Sequence, residues 1–223
     1  MNNINLDDLA KRPCDFQVIE RVPLTCEGIE FPLDLDCAAG DEIAIVVADC
    51  ETTGLDYNVD ALTELGLTRL LYSPSLGKVT KVVESKSWLQ DPKQPISQFI
   101  TDLTGLTDQH VVGKEITELD IAKCLEGNPI VISHFIEFDR PFIEKYVGAF
   151  PKNLRWACSA KDIDWKGAKI DSRKLEWILY KLGFFYDGHR ADIDTKALSW
   201  VFIQRPDFLV QLMAKSKVLD VDG

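Results

Sequence analysis

The spacing of apolar and polar residues along this chain predicts an α/β fold. Apolar runs of strand length come first, at 43–48, 62–72 and 79–89, and a short turn at 73–77 separates the last two. Helical and strand periods then alternate: predicted helices lie at 96–103, 115–126, 139–147, 172–182 and 190–203, with strands at 130–133 and 154–159. This order predicts a mixed β-sheet with helices on both faces.

The chain divides into three predicted parts. Residues 1–40 alternate apolar and polar positions around Cys26-Glu27-Gly28, which predicts a β-hairpin or an extended arm packed on the main domain. The same segment could equally mediate a dimer or partner contact. Residues 41–206 form the predicted main domain. Residues 207–223 follow as a C-terminal helix or tail that frays after Lys215.

The charge balance limits the classes of ligand. The chain has 223 residues, 25 of them basic and 36 acidic, with a net charge of −11. Such a protein does not bind duplex nucleic acid by general attraction, and the balance counts against a sequence-specific DNA-binding module. The length suits one domain with a sizeable core.

Cysteine usage and hydropathy indicate the compartment. The six cysteines include no Cys-x-x-Cys pair, so zinc spacing is absent. Cys50 and Cys158 lie in apolar context, which predicts buried free thiols in a reducing cytoplasm. No apolar run approaches the ~18 residues of a membrane span, and the first residues lack the pattern of a signal peptide. We therefore expect a soluble cytoplasmic protein with no membrane partner.

Two acidic residues stand at the end of the first apolar strand. In extended backbone, residues two apart point to the same face, so Asp49 and Glu51 project side by side. Paired carboxylates form a site for a hard cation such as Mg²⁺ or Mn²⁺. The alternative is an ordinary acidic turn after a buried strand.

Two further clusters lie far downstream. Asp139 falls in the first turn of a predicted helix just after a strand, and His189 and Asp194 flank the start of another helix. Each has a simple structural explanation, because an acid in a first helical turn complements the helix dipole and a lone histidine is usually a surface or core residue.

Together, the three clusters resemble a known family. Asp-x-Glu-Thr-Thr-Gly at 49–54, His-x-x-x-Phe-Asp at 134–139 and His-x-Ala-x-x-Asp at 189–194 are similar to the motifs of the DEDDh branch of the DnaQ-like 3′ to 5′ exonucleases. That family includes the proofreading subunit of bacterial replicative polymerase, ribonuclease T and oligoribonuclease. The resemblance spans about residues 41–204 and implies a ribonuclease H-like fold, with 41–206 as the exonuclease domain.

The resemblance also implies a mechanism that uses two divalent ions, Mg²⁺ or Mn²⁺. Asp49 would bridge both ions, Glu51 and Asp194 would complete the site beside the attacking water, and Asp139 would support the second ion. His189 would act as general base, because an unperturbed imidazole pKa of about 6.5 suits proton transfer at neutral pH.

Other motif residues are predicted to contact the substrate. By resemblance, the backbone at Thr52 contacts the terminal 3′ hydroxyl, Leu55 wedges against the terminal base, and Thr53 is a further substrate-binding residue. Their alternative roles are turn formation and core packing.

The second motif departs from the family in one place. His134 would approach a substrate phosphate or the metal shell, or it is simply a strand-end histidine. Phe135 stands where many relatives have asparagine. We predict core packing for Phe135, with stacking on a nucleobase as the alternative hypothesis.

The expected function is a metal-dependent exonuclease that removes nucleoside monophosphates from single-stranded 3′ ends, with DNA favoured over RNA. The alternatives are an RNA-trimming exoribonuclease, a catalytically inactive binding module, or a small-molecule hydrolase with a closed pocket. A DNA polymerase or a second copy of the chain is a possible partner. The tail contains no convincing polymerase-clamp peptide, which favours a free-standing repair or maturation enzyme.

Overall fold

The structure is a computed structural model that describes residue 11 and residues 17–25, 33–35, 38–148 and 150–219. The predicted turn at Cys26-Glu27-Gly28 lies outside the described residues. No helix among the described residues has the length and apolar character needed to cross a bilayer.

A seven-stranded mixed sheet forms the centre of the molecule. Its three long strands, all predicted, are β3 (Ile43–Thr52), β4 (Leu62–Ser73) and β5 (Lys78–Leu89), and they pair antiparallel. The shorter strands are β2 (Leu33–Asp34), β6 (Ile130–Ser133), β7 (Arg155–Cys158) and β9 (Lys217–Val218). The order across the sheet is β2-β5-β4-β3-β6-β7-β9, and β6 runs parallel to both β3 and β7.

Eight helices connect or follow these strands in the described part of the chain beyond residue 90. They are α1 (Gln98–Thr104), α2 (Asp108–Val111), α3 (Glu118–Leu125), α4 (Ile136–Tyr146), α5 (Ser159–Asp162), α6 (Leu175–Leu182), α7 (Ala191–Gln204) and α8 (Asp207–Lys215). The predicted helices all exist, although α4 begins three residues earlier than the sequence pattern indicated. The short helices α2 and α5 were not predicted.

Helices cover both faces of the sheet, as predicted. Alternate residues of β3 point in opposite directions: Ile45 and Val47 join a core with α6, α7 and α8, whereas Val46 and Ala48 join a core with α3 and α4. Because β3 is buried on both faces, its sequence is a continuous apolar run rather than an alternation. The strand end that carries the acidic pair is thereby held on two sides.

The two ends of the chain also pair with the main domain. Strand β1 (Glu20–Arg21) runs parallel to β8 (Phe184–Phe185), and β2 pairs antiparallel with β5. After α8, β9 pairs antiparallel with β7, so the expected fraying is wrong for Lys217 and Val218, while residues 220–223 lie outside the described part of the chain. The predicted burial of Cys50 and Cys158 is confirmed, and both are free thiols.

Candidate active site

The first acidic pair lies where β3 ends. Asp49 and Glu51 are two residues apart on this strand, and their partners on β4 are Gly66 and Glu64. The pairing shifts register between Glu51 and Thr52, where the strand turns away. Both side chains therefore project from the end of a central strand, as the strand period predicted.

Asp194 reaches the same place from the first turn of α7. The hydroxyl of Tyr186 donates a 2.8 Å hydrogen bond to one carboxylate oxygen, and the backbone N–H of Arg190 donates a 3.1 Å bond to the other. In this orientation Asp194, Asp49 and Glu51 each offer an oxygen within 4.8 Å of the others. A strand end and a helix start, far apart in sequence, thus form one cluster.

Asp139 is buried beside this cluster in the first turn of α4. The thiol of Cys50 lies 3.3 Å from one carboxylate oxygen, and the hydroxyl of Ser133 donates a very short bond to the other. Both donors come from strand ends of the sheet, so the orientation of Asp139 is fixed by β3 and β6.

Burial raises the pKa values of all four carboxyl groups, and repulsion from neighbouring carboxylates adds to this effect for Asp49 and Glu51. Burial is the main cause in each case; it raises the pKa of Asp49 well above its usual range, that of Glu51 to about 8 and that of Asp139 to about 6. The pKa of Asp194 is also raised by burial, against the hydrogen bond from Tyr186. Carboxyl groups that repel one another in this way are relieved by a cation, and an all-oxygen donor set suits a hard divalent ion. The residues present therefore fit a divalent metal.

His189 lies on the loop that leads into α7. Its backbone is in the left-handed region, with φ of 69°, and its side chain is exposed. It lines the same open cavity, of about 850 Å³, as the four carboxylates. Non-glycine residues adopt this backbone conformation at a cost of order 1 kcal/mol, and such residues concentrate at functional sites.

Close packing against β4 sets the position of α7. A Cβ on Gly66 would lie 2.2 Å from the carbonyl oxygen of Ala191, so only glycine permits this approach. Beside it, the guanidinium of Arg190 forms a bidentate pair with the fully buried Glu64, at 2.8 and 2.9 Å. The Ala191 backbone N–H and the Ser87 hydroxyl also donate to Glu64.

Tyr186, Glu64 and Arg190 support the site but were not predicted to do so from the sequence. Two signals were present: Glu64 is a single acid in an otherwise apolar strand, and Arg190 separates His189 from the start of a helix. Neither signal reveals its partner, because Glu64 and Arg190 are 126 residues apart.

The residues after Glu51 form a tight turn. Thr52 is buried and donates to the Gly54 carbonyl at 2.5 Å, while the Thr53 hydroxyl accepts bonds from the Ala61 N–H at 3.0 Å and the Gln94 amide at 2.6 Å. Leu55 is 85% exposed, so core packing, the alternative for this residue, is wrong. The predicted substrate contacts of Thr52, Thr53 and Leu55 stay predictions.

His134 lines the cavity but both of its ring nitrogens have protein partners. Nε2 lies 2.6 Å from the Arg173 carbonyl, which can only accept, so Nε2 donates; Nδ1 accepts from the Ser159 hydroxyl at 2.7 Å. Burial lowers the pKa of His134 and keeps the ring neutral. A contact with a substrate phosphate requires one of these bonds to break, so it stays a prediction.

Phe135 corrects one expectation. Its side chain is 47% exposed and lines the cavity, so the predicted core packing is wrong. The ring meets His134 edge-on, with 4.8 Å between ring centroids. The cause is local: Phe135 precedes the first residue of α4, and the next residue, Ile136, takes the buried position.

Relatives in sequence are long bacterial polymerases. The chain is 31% identical over 180 residues to a DNA polymerase III PolC-type from Caldanaerobacter subterraneus subsp. tengcongensis. This alignment covers 77% of the chain and 12% of that polymerase. It is 33% identical over 178 residues to the PolC-type protein of Latilactobacillus sakei subsp. sakei, which covers 78% of this chain and 11% of that protein. The match therefore spans about one eighth or less of these relatives.

Solved structures share the fold. The nuclease domain of 3′hExo, a DEDDh family member bound to rAMP, aligns with a TM-score of 0.62 at 18% identity, covering 82% of this chain and 99% of that one. Exonuclease X in complex with 5′ overhanging duplex DNA aligns with a TM-score of 0.55 at 20% identity, covering 74% and 91%. The predicted ribonuclease H-like fold is confirmed.

A family model described as an exonuclease matches residues 46–202, the segment that carries all three motifs. This span begins within β3 and ends within α7, the two elements that meet at the acidic cluster. The predicted family is thus confirmed: the chain belongs to the RNase_T exonuclease family.

Proposed function

We propose that this protein is a metal-dependent 3′ to 5′ exonuclease that hydrolyses single-stranded nucleic acid, with DNA favoured, to nucleoside monophosphates. One observation carries the proposal: three carboxylates from β3 and α7 have oxygens within 4.8 Å of one another, with Asp139 and His189 in the same cavity. A site without metal chemistry has no need for so many mutually repelling carboxylates.

Two Mg²⁺ or Mn²⁺ ions are proposed as cofactors. When bound, such a pair neutralises charge at the reacting phosphate and makes water nucleophilic near neutral pH. Asp49, Glu51 and Asp194 would hold one ion as a group. Asp139, which lies outside that group, would join Asp49 at the second.

His189 is proposed to accept the proton of the attacking water. Its side chain lines the cavity, and His189 immediately precedes Arg190, whose backbone N–H binds Asp194. The loop with His189 leads into α7, which packs closely against Gly66, the partner of Asp49 on β4. An imidazole exposed to the cavity has the geometry of a general base, because it can pass the proton on to solvent.

The preference for DNA is supported by the PolC-type relatives, whose names identify DNA polymerases. The net charge of −11 favours a local grip on a few unpaired nucleotides rather than attraction along a duplex. A polymerase or a second copy of the chain is the proposed protein partner. The buried free thiols Cys50, Cys124 and Cys158 support a reducing cytoplasm.

The test is degradation of 5′-labelled single-stranded DNA and RNA oligomers with Mg²⁺, with Mn²⁺ and with chelator. We expect a ladder that shortens from the 3′ end, requires metal and progresses faster on DNA. Asp49→Asn should abolish it, whereas Asp34→Asn, an exposed aspartate on the edge strand β2, should not. A faster ladder on RNA would select the exoribonuclease alternative, and equal traces for Asp49→Asn and wild type would refute the proposal.

A further inference from the structure

Helix α6 forms part of the wall of the catalytic cavity, and its cavity side is aromatic. Leu175, Ile178 and Leu179 form its buried face. Trp177 and Tyr180, one helical turn apart, are each 36% exposed and line the cavity together with the catalytic carboxylates. The core does not require two large rings on this outer face, which in most helices is polar.

The two rings are held in a defined arrangement. Their centroids are 5.2 Å apart with 25° between the ring planes, and the indole N–H of Trp177 donates a 2.6 Å bond to Asp171. The ammonium of Lys181 lies 5.0 Å from the centre of the Trp177 ring. Because the polar edge of Trp177 is satisfied by the protein, its remaining exposed surface is apolar and oriented before any ligand binds.

Basic charge accompanies these rings. Lys174 lines the same cavity together with Glu176, and Lys181 lies in the last turn of α6. Aromatic rings interleaved with lysines suit a single strand, since bases stack on the rings and phosphates pair with the ammonium groups. An unpaired base can offer its faces for stacking, whereas a base inside a duplex has both faces covered by its neighbours. In a chain with a net charge of −11, this is a local attraction beside an acidic centre.

We propose that Trp177 and Tyr180 form a stacking surface for an unpaired nucleobase of the substrate strand, with Lys174 beside the adjoining phosphate. This inference rests on the proposed exonuclease function and adds the residues that select single-stranded substrate. Phe135, 47% exposed in the same cavity, supplies a third ring close to the carboxylates. The strand would thus meet aromatic surface at two places, at the start of α4 and along α6.

The test removes the rings and the bases in turn. Steady-state kinetics on single-stranded DNA compare wild type with the double variant Trp177→Ala/Tyr180→Ala. The substrates are a series of oligomers with one abasic nucleotide near the 3′ end, and the abasic position differs by one nucleotide between successive oligomers. Stacking on one base is worth roughly 5- to 150-fold in affinity, so the double variant should raise KM by that factor with little change in kcat. At one abasic position the KM of wild type should rise by the same factor, whereas the KM of the double variant should not rise further.

A matched control is Phe185→Ala. Phe185 is 37% exposed, close to the value for Trp177, but does not line the cavity, so this variant should keep the wild-type KM. Trp177→Phe, which keeps an aromatic ring at this position, should retain most of the wild-type affinity for single-stranded DNA. Independent effects of ring removal and base removal at every position would overturn the inference.

A second measurement does not depend on the variants folding. Wild-type protein with Ca²⁺ is irradiated with an oligomer that carries one 5-iodouracil, and the cross-linked peptide is identified by mass spectrometry. We expect cross-links within 174–181, and their absence at every probe position would overturn the inference. A metal-dependent ladder without these effects would refute only the stacking surface, whereas the absence of any ladder would refute the exonuclease function itself.

Discussion

Replacing Gly66 with alanine tests whether the contact between β4 and α7 sets the catalytic geometry. The added Cβ would lie 2.2 Å from the Ala191 carbonyl oxygen and 2.4 Å from its carbonyl carbon, whereas ordinary contact begins at 3.4 Å. Both are backbone atoms, so no flexible side chain can move aside. The first turn of α7 must therefore retreat from the sheet by about 1 Å.

That retreat separates residues that have to act together. Asp49 pairs directly with Gly66 across the sheet, while His189 and Asp194 travel with α7. A displacement of about 1 Å between groups that position a reacting phosphate costs on the order of 100-fold in rate. Overpacking should also lower the free energy of unfolding by about 1 to 3 kcal/mol.

The assay is single-turnover hydrolysis of a 5′-labelled single-stranded oligomer at saturating metal, with urea unfolding of the same samples. Gly148→Ala is the matched control, because a Cβ at Gly148 meets no atom within 4 Å. We expect Gly148→Ala to behave as wild type in both measurements. A folded Gly66→Ala protein with the wild-type rate would refute the reasoning that this contact places His189 and Asp194.

Three further predictions follow from the site. Without metal, thermal stability should fall as pH rises from about 4.5 to 8, because folding raises the pKa of Glu51 from 4.5 to about 8 and its ionisation therefore opposes folding. Glu51→Gln should flatten this fall and raise the free energy of unfolding at pH 8 by about 1 kcal/mol or more. Melting curves of this variant that match those of wild type at every pH would contradict the prediction. His189→Asn, which tolerates the left-handed backbone, should lose most turnover yet bind Mn²⁺ normally in calorimetry, whereas full activity would exclude the role as base. Arg190→Ala should lower the free energy of unfolding, measured with urea, by about 3 kcal/mol because it leaves Glu64 buried without its partner. Adding Glu64→Gln to this variant should restore part of the loss. Additive effects of the two substitutions would show that the pair is not coupled.

Much of the fold follows from local pattern. The long strands and helices were predictable because the strand period of two and the helical period of 3.6 are properties of neighbouring residues. The end of α1 is also local in origin, because Gly105 follows Thr104 and caps the helix in the left-handed conformation that glycine favours. The short strands β1, β8 and β9 were not predictable, because strands of two residues have no period to detect.

Exposure of single residues next to the site was decided by the tertiary structure. Leu55 and Phe135 are apolar, and hydropathy alone favours burial for both. In the folded protein the start of α4 opens onto the cavity and Leu55 lies in an exposed turn after β3, so both side chains face solvent. The sequence pattern predicted a helix at 172–182, but only the packing of that helix shows that Trp177 and Tyr180 lie beside the carboxylates.

The sequence by itself determined which residues carry the chemistry. Asp49 and Glu51 share a face because they are two residues apart on a strand, and the three motifs identified Asp139, His189 and Asp194. The tertiary structure alone decided how these groups are held. Hydrogen bonds from Cys50 and Ser133, the Glu64–Arg190 pair and the close approach at Gly66 depend on strand register and helix packing between segments up to 126 residues apart, and no local pattern contains that information.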